Sequence, residues 1–271
     1  MDRHLPVVLR EASGVIAVSK PAGLATQAPP GIPSVESWLR ERLAGAVAGG
    51  YLGVPHRLDR AVTGVLLFAV TPRAARKLSR QFERRQIRKT YLAVVACADP
   101  AAAAAALRGD AEEGHGGPHA HAADEGQATR LAAGVVWRDV LAKVPDEPRA
   151  RLVPAGTPGG REAVTIAALC RQVAADRLLV TLEPVTGRMH QLRLQAASRG
   201  LPVVGDTLYG GDLAAWRDRP PPELSDGAGS PDPRTTAIAL HAWRIAYTDP
   251  DSGGPVVIEE PPPADWPAGS V

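Results

Sequence analysis

One nine-residue run, His56-Arg57-Leu58-Asp59-Arg60-Ala61-Val62-Thr63-Gly64, concentrates the groups most able to do chemistry. It sets a lone carboxylate between two guanidinium groups, directly before the apolar stretch Val65-Leu66-Leu67-Phe68-Ala69-Val70. A short unbroken apolar run bounded by turn residues predicts a buried strand. Asp59 then sits on the loop leading into a core element. A carboxylate there is either a salt-bridge partner or a reactive group held by a rigid scaffold. Taken alone, an Asp flanked by Arg is most often a solvated residue, but two later segments shift that balance.

The first is Arg88-Lys89-Thr90-Tyr91-Leu92-Ala93-Val94-Val95. The second is Pro184-Val185-Thr186-Gly187-Arg188-Met189-His190-Gln191-Leu192-Arg193, followed by Gly200-Leu201-Pro202-Val203-Val204-Gly205-Asp206-Thr207-Leu208-Tyr209-Gly210. With the Asp59 run, these make the chain resemble an RNA pseudouridine synthase of the RluA type. That family carries H-R-L-D-x-x-T-S-G, a K-x-Y strand, and T-G-R-x-H-Q-[IL]-R leading to G-D-x-x-Y-G. Ser19-Lys20-Pro21-Ala22-Gly23-Leu24 is similar to its N-K-P-x-G-[LM] start, and Leu240-His241-Ala242-Trp243 to a segment near its end. The segments follow family order and cover nearly the whole chain. The chain departs from the pattern at Val62-Thr63, where the family has Thr-Ser, and Met189 and an Ala/His-rich insertion are also atypical.

The resemblance implies isomerisation of uridine in structured RNA. The N1–C1′ bond breaks, the base turns, and it reattaches through C5. Such a reaction needs no metal, redox partner or external energy source, so no cofactor is expected. It implies Asp59 as the catalytic carboxylate, attacking sugar or base or assisting bond loss, in an ionised form that a nearby cation favours. Arg193 is its implied salt-bridge partner. Tyr91 is the implied active-site aromatic, stacking on uracil with a hydroxyl available for proton removal at C5. A uridine in folded RNA must leave the stack, and Arg57 is implied to fill the space it vacates. His56, which supports the loop, is grouped with Arg188 and His190 as substrate-binding. Lys20, Lys89 and the 73–85 segment are candidates for phosphate contacts. Gly187 and Gly205-Asp206 are expected to serve turn geometry. The implied fold is α+β, a mixed, mainly antiparallel sheet with flanking helices and a central cleft.

The bulk properties agree. At 271 residues the chain holds one large catalytic domain or two small ones. Hydrophobic residues make up 45% but aromatics only 4%, so the core must be mostly Leu, Val and Ala. No apolar run is long enough for a membrane-spanning helix, and the first residues lack the apolar stretch of a signal peptide. Cys97 and Cys170 lie in apolar surroundings with no CxxC pattern, which predicts buried free thiols in a reducing compartment, no metal site and a cytoplasmic location. Net charge is only +2, yet its distribution is uneven. From Val54 to Ala93, ten Lys and Arg residues face only Asp59 and Glu83, whereas acids prevail from Asp99 to Glu125. A local basic patch attracts phosphate whatever the net charge.

These groups need a scaffold. Val15–Val18 is predicted as a strand followed by a Lys20–Gly23 turn. Ser34 is placed to cap a helix to about Ala44. Thr71-Pro72 starts a second helix with an N-cap hydroxyl and Pro at its first position. Its apolar face is Ala74, Ala75, Leu78 and Phe82, and most of the basic stretch lies around the rest. Strands are predicted over Tyr91–Cys97, Ala163–Leu169, Arg177–Leu182, Thr235–Tyr247 and Pro255–Ile258. Residues 101 to about 133 read as a low-complexity surface insertion, and 214–234 as a second polar excursion. His115, His119 and His121 in the first lack companion cysteines, so a surface loop is expected over a metal site. The catalytic pattern starts by about Val15, which leaves no room for an N-terminal S4-like RNA-binding domain, and a monomer is the default. The rival to an enzyme is an RNA-binding or RNA-remodelling protein with little activity. A zinc-dependent nucleobase deaminase would need a Cys/His ligand set with a catalytic Glu, which two isolated cysteines do not supply.

Overall fold

The computed structural model describes residues 5–44, 50–108, 134–210, 236–264 and 266–267. Their architecture is one ten-stranded mixed sheet with helices packed on it. Strand β1 (Val7–Ala12) and strand β2 (Val15–Lys20) form a hairpin through Ser13-Gly14, both at positive φ (53° and 71°). That backbone matches the right-handed twist of paired strands. Helix α1 (Val35–Arg42) begins where expected, with Ser34 and Ser37 forming a reciprocal capping box. Strand β3 (Thr63–Ala69) is buried at every position. Helix α2 (Pro72–Glu83) starts on Thr71, whose side chain accepts from the Ala74 amide.

Further along lie β4 (Arg88–Ala96), α3 (Pro100–Arg108), β5 (Val135–Lys143), β6 (Ala150–Leu152), β7 (Arg161–Ala174) and β8 (Arg177–Pro184). Helix α4 (Gln191–Ala197), a 3₁₀ turn at Thr207–Tyr209, β9 (Leu240–Thr248) and β10 (Pro255–Glu259) complete the described elements. The sheet order is β1-β2-β3-β9-β4-β8-β7-β5-β6, with β10 added on β9. Every pairing is antiparallel except β3 with β9.

That parallel junction makes the cleft possible. β3 and β9 pair only at Thr63–His241 and Gly64–Ala242. There the backbones approach so closely that a Cβ on Gly64 would lie 2.3 Å from the Ala242 carbonyl oxygen, at a φ of 112° that side chains rarely adopt. Beyond it the segment leading to Asp59 lies along β3. Gly53 bridges to Ala69, and His56 Nε2 accepts the Leu67 amide at 2.9 Å.

The two faces of β3 serve two cores. Val65, Leu67 and Ala69 pack with Val15, Ala17 and the Ala74 and Leu78 side chains of α2. Leu66 and Phe68 join Val35, Leu39 and Tyr91 on the other face. Continuous burial is what a strand covered on both sides requires, so its alternation is invisible in sequence.

The low-complexity expectation needs correction at its start. Residues 100–108 form α3, whose Leu107 is buried in the core. Alanine is the best helix former, and Asp99 Oδ1 accepts the Ala102 amide at 3.0 Å. Residues 109–133, with the three histidines, and 214–234 lie outside the described residues. Besides α3, four elements were not anticipated: β1, whose Val7 and Leu9 are exposed, β5, β6 and α4. Cys97 is buried, but Cys170 is exposed, against the expectation of two buried thiols.

A buried histidine locks the junction. His241 Nε2 meets the Glu260 carbonyl at 2.8 Å and must donate to it, so Nδ1 accepts from the Thr63 hydroxyl at 2.7 Å. Thr63, one of the two departures from the family pattern, thus spends its proton on the fold. Burial pushes His241 down to about 4, against a carbonyl bond that favours the charged ring. Between that value and 6.5 the unfolded chain binds a proton that the folded one does not, so stability falls on acidification. The expected slope is about 1.4 kcal/mol per pH unit from this residue. Urea unfolding at a series of pH values below neutrality should show the His241→Gln variant losing one proton's worth of that slope.

Candidate active site

The backbone around Asp59 is held on both sides. The Thr26 hydroxyl accepts the Leu58 amide and donates to the Leu58 carbonyl, both at 3.0 Å. The Arg60 carbonyl accepts from Lys20 Nζ at 3.0 Å and from the Gly23 amide at 2.8 Å. Lys20 also donates to the carbonyls of Pro21 and Leu24, both at 2.8 Å. This corrects the phosphate-contact expectation for Lys20: its side chain is fully buried and three carbonyls take its three donors. Burial pushes its ammonium down to about 7, with Asp59 nearby opposing the shift. The carbonyls oppose it too, because each favours the charged form.

His56 is likewise a scaffold residue rather than a substrate ligand. Its ring stacks on Phe82 of α2 at 4.8 Å, and Nε2 is occupied by the Leu67 amide. Burial, with a smaller effect from Lys89, holds it down to about 3, so the acceptor nitrogen stays unprotonated. Arg57, next in sequence, is exposed at the rim.

Opposite stands Arg193 on α4, only 3% exposed. Its Nη1 reaches Asp59 Oδ2 at 3.2 Å. Its Nε and Nη2 donate to Asp206 Oδ2 at 2.6 Å and Oδ1 at 2.8 Å. Burial opposes the charge on Arg193, but the Asp206 hydrogen bonds overcome it and the net shift is upward. Asp206, 1% exposed, is therefore a buried counter-ion and not merely part of a turn. Such fork-to-fork pairing fixes a guanidinium in position as well as in charge.

His190 begins α4 in the left-handed region (φ 51°). Its Nδ1 lies 2.9 Å from the Tyr209 hydroxyl and its Nε2 3.7 Å from Asp59 Oδ2. Burial lowers its pKa against the pull of Asp59, so the imidazole is neutral and the contact is not an ion pair. Tyr209 also accepts the Ala150 amide at 3.0 Å and lies under the Arg193 guanidinium, 5.3 Å from its ring centre. Asp206 and Tyr209 lie within a sequence motif that by itself gives neither a place in the site. The signal was an acid and a phenol in the motif that follows the Arg193 segment.

The floor of α4 is a closed polar network. Gln191 Oε1 accepts from the Thr186 hydroxyl (2.7 Å) and the Arg188 amide (3.0 Å), and its Nε2 donates to the Val164 carbonyl and Thr165. Thr165 passes on to Gln195, and Gln195 to Asp139. Arg188 donates Nε to the Glu162 carbonyl at 2.9 Å, fixing its stem beside the cleft.

Between these elements is a cleft of about 120 Å³ lined by Arg57, Asp59, Val62, Lys89, Tyr91 and Arg193 among others. Tyr91 is buried, and burial together with Asp59 pushes its phenol well above the usual range, so it stays protonated. Val62, the other departure from the family pattern, presents methyl groups to the cleft. The structure thus brings Asp59, Arg193, Tyr91, His190, Arg57, Arg188 and Lys89 to one cleft, while Lys20 and His56 stand behind it. Among the described residues no His/Cys/Asp/Glu group could hold a metal ion.

A carboxylate fixed by a buried arginine, facing a protonated phenol in a small cleft at the rim of a mixed sheet, suits chemistry on a flat polar ring. The chain belongs to the RNA pseudouridylate synthase family, whose model matches residues 14–198. It is 31% identical over 261 residues to ribosomal large subunit pseudouridine synthase D of Xanthomonas campestris pv. campestris, covering 95% of this chain and 66% of that one. It is 31% identical over 207 residues to ribosomal large subunit pseudouridine synthase C of Rickettsia bellii, 76% of this chain and 57% of that one. It therefore spans less than two thirds of either relative. It is 27% identical over 262 residues to the dual-specificity RNA pseudouridine synthase RluA of Escherichia coli strain K12, covering 94% and 92%. The fold matches human RNA pseudouridylate synthase domain containing 1 and 4, with TM-scores of 0.60 and 0.61 at 22% and 19% identity, over 97% and 93% of this chain.

Replacing Asp206 with Asn removes the counter-ion of a buried guanidinium. The expected loss is about 3–5 kcal/mol, read as a lower urea midpoint.

Proposed function

We propose that the protein isomerises uridine to pseudouridine in structured RNA, ribosomal or transfer, in the cytoplasm and as a monomer. The observation that carries this reading is the Asp59 carboxylate, fixed through Arg193 at 3.2 Å in a cleft shared with Tyr91. The exposed Arg57 at the rim suits a guanidinium that stacks in the space left by the departing base. Asp59 acts at the ribose or base, Tyr91 offers its ring face to uracil, and Arg193 keeps the carboxylate oriented. The narrow cleft excludes water from the detached base. Pseudouridine mapping of total RNA by carbodiimide-dependent reverse-transcription stops is the test. Deleting the gene should erase stops that wild type restores and Asp59→Asn does not. An Asp59→Asn protein that restores them would sink the reading; one that still binds RNA separates catalysis from binding.

Helix α2 extends the expected RNA surface. One row of it is committed to the fold: Arg73 pairs with Asp251, Lys77 donates to the Pro250 carbonyl, and Gln81 exchanges two 2.8 Å bonds with Thr248. The next row, Arg76, Arg80 and Arg84, is exposed and makes no ion pair with any described residue. Like charges at i,i+4 destabilise a helix, and a polyanion relieves that repulsion. The helix end reaches the site through the Phe82–His56 stack. Phosphate contacts there predict that Arg76→Gln/Arg80→Gln/Arg84→Gln flattens the slope of log affinity against log salt by about 2–3. A control with Arg42, Arg149 and Arg151 changed to Gln should leave the slope nearly intact.

A further inference from the structure

We propose that Lys89 is the electrostatic partner of the detached uracil base, a role distinct from a backbone phosphate contact. The inference rests on the pseudouridine-forming reading above. Three placements support it. Lys89 and Tyr91 are two residues apart on β4, so both side chains leave the same face of the strand, and both line the cleft. Gly187 lines the same cleft, and a Cβ built there would lie 3.9 Å from Lys89 Nζ, so the ammonium stands beside the Gly187 turn at the cleft wall. Finally, Lys89 Nζ has no hydrogen bond or ion pair with any described residue. Every other charge deep in the site is matched. Arg193 has Asp206 and Asp59, and Lys20 has three carbonyls. A half-buried ammonium without an acceptor is costly unless an anion arrives to meet it.

Phosphates are poor candidates for that anion, because the ribose-phosphate chain must stay at the rim, where Arg57 is exposed. The base is what enters. When the N1–C1′ bond breaks, its electron pair stays with the base, which becomes a uracil anion with charge spread over its ring nitrogens and carbonyl oxygens. Lys89 donates hydrogen bonds to that charge while the ring turns. The pair then forms the C5–C1′ bond, C5 loses its hydrogen as a proton, and N1 gains one. No proton leaves Lys89, which ends as it began. Burial pushes Lys89 down to about 8, and an anion beside it favours the charged form, so base and lysine stabilise each other. A donor aimed at charge that exists only after bond breaking accelerates the step instead of tightening the ground state.

The test is single-turnover conversion of a target RNA found by mapping, with RNA affinity measured in parallel. Lys89→Met should slow conversion by about 100-fold or more while affinity stays within a few-fold of wild type. Its melting temperature should not fall, since methionine carries no charge to bury. Lys89→Arg, which keeps the charge, should lie between. A methionine variant that converts at the wild-type rate overturns the inference. So does one whose affinity falls as steeply as its rate, which is the signature of a phosphate contact. An arginine variant as slow as methionine assigns the loss to shape and overturns it too. If wild type converts no uridine in any RNA, the proposed function fails, and 5-fluorouracil binding decides the site separately. At a pH where that base is ionised, wild type should bind it several-fold more tightly than Lys89→Met, and equal binding ends the inference.

Discussion

A buried guanidinium governs the architecture of this site. Arg193 is 3% exposed, and a charge so far from water is tolerated only with near-ideal partners. Asp206 supplies two short bonds and Asp59 a third. Meeting that requirement brings distant parts of the chain together. The segment carrying Asp206 must lie against the sheet, and it does so through Val204 to Val94, Ala96 to Pro202 and Ala239 to Val204, each at 2.9 Å. Helix α4 must present Arg193 inward, and the β3–β9 junction must deliver Asp59 to the same point. Asp59, the one partially exposed member of the trio, has its position set by two residues that have already paid for their burial.

The rigidity extends behind α4. This helix is seven residues long and has no side-chain N-cap, so its own hydrogen bonds cannot fix it well. Thr186, Gln191, Thr165, Gln195 and Asp139 do that instead, each amide and hydroxyl satisfied in turn. Fully satisfied buried networks favour one arrangement over its near neighbours. An arginine that slipped by an ångström would lose its contact with Asp59, and with it the orientation of the carboxylate.

This division explains what could be read in the sequence. Elements announced by local chemistry were legible: the Thr71-Pro72 start of α2, the Ser34 cap of α1, and the apolar runs of β3, β4 and β8. The candidate site residues stood out in the sequence as family motifs and not through local chemistry. What escaped depends on tertiary packing. β1 is an edge strand with Val7 and Leu9 turned to solvent, so no hydrophobic period marks it. α4 is held by long-range polar contacts and leaves no amphipathic signature. Lys20 carries the charge of a phosphate ligand, and only its three carbonyl partners reveal a structural role. Asp206 looked like turn material because its counter-ion lies thirteen residues back, on a helix not anticipated there.

Within the cleft, depth sorts the charges. Arg57 is exposed at the rim, Arg188 is tethered beside it by the Glu162 carbonyl, and Arg193 is locked below by two carboxylates. His190 is kept neutral by burial, so it adds no cation that would compete for Asp59. The arrangement separates three tasks by solvent access. Cations near water can meet phosphates in many RNA sequences, since contacts to the backbone position a nucleic acid without reading it. A cation sealed against carboxylates can only orient them. Discrimination must then arise from the intermediate layer, where Lys89, Tyr91 and the methyl groups of Val62 line the walls that a flipped base would touch. On the proposed function, recognition of the RNA and recognition of the base fall to different side chains.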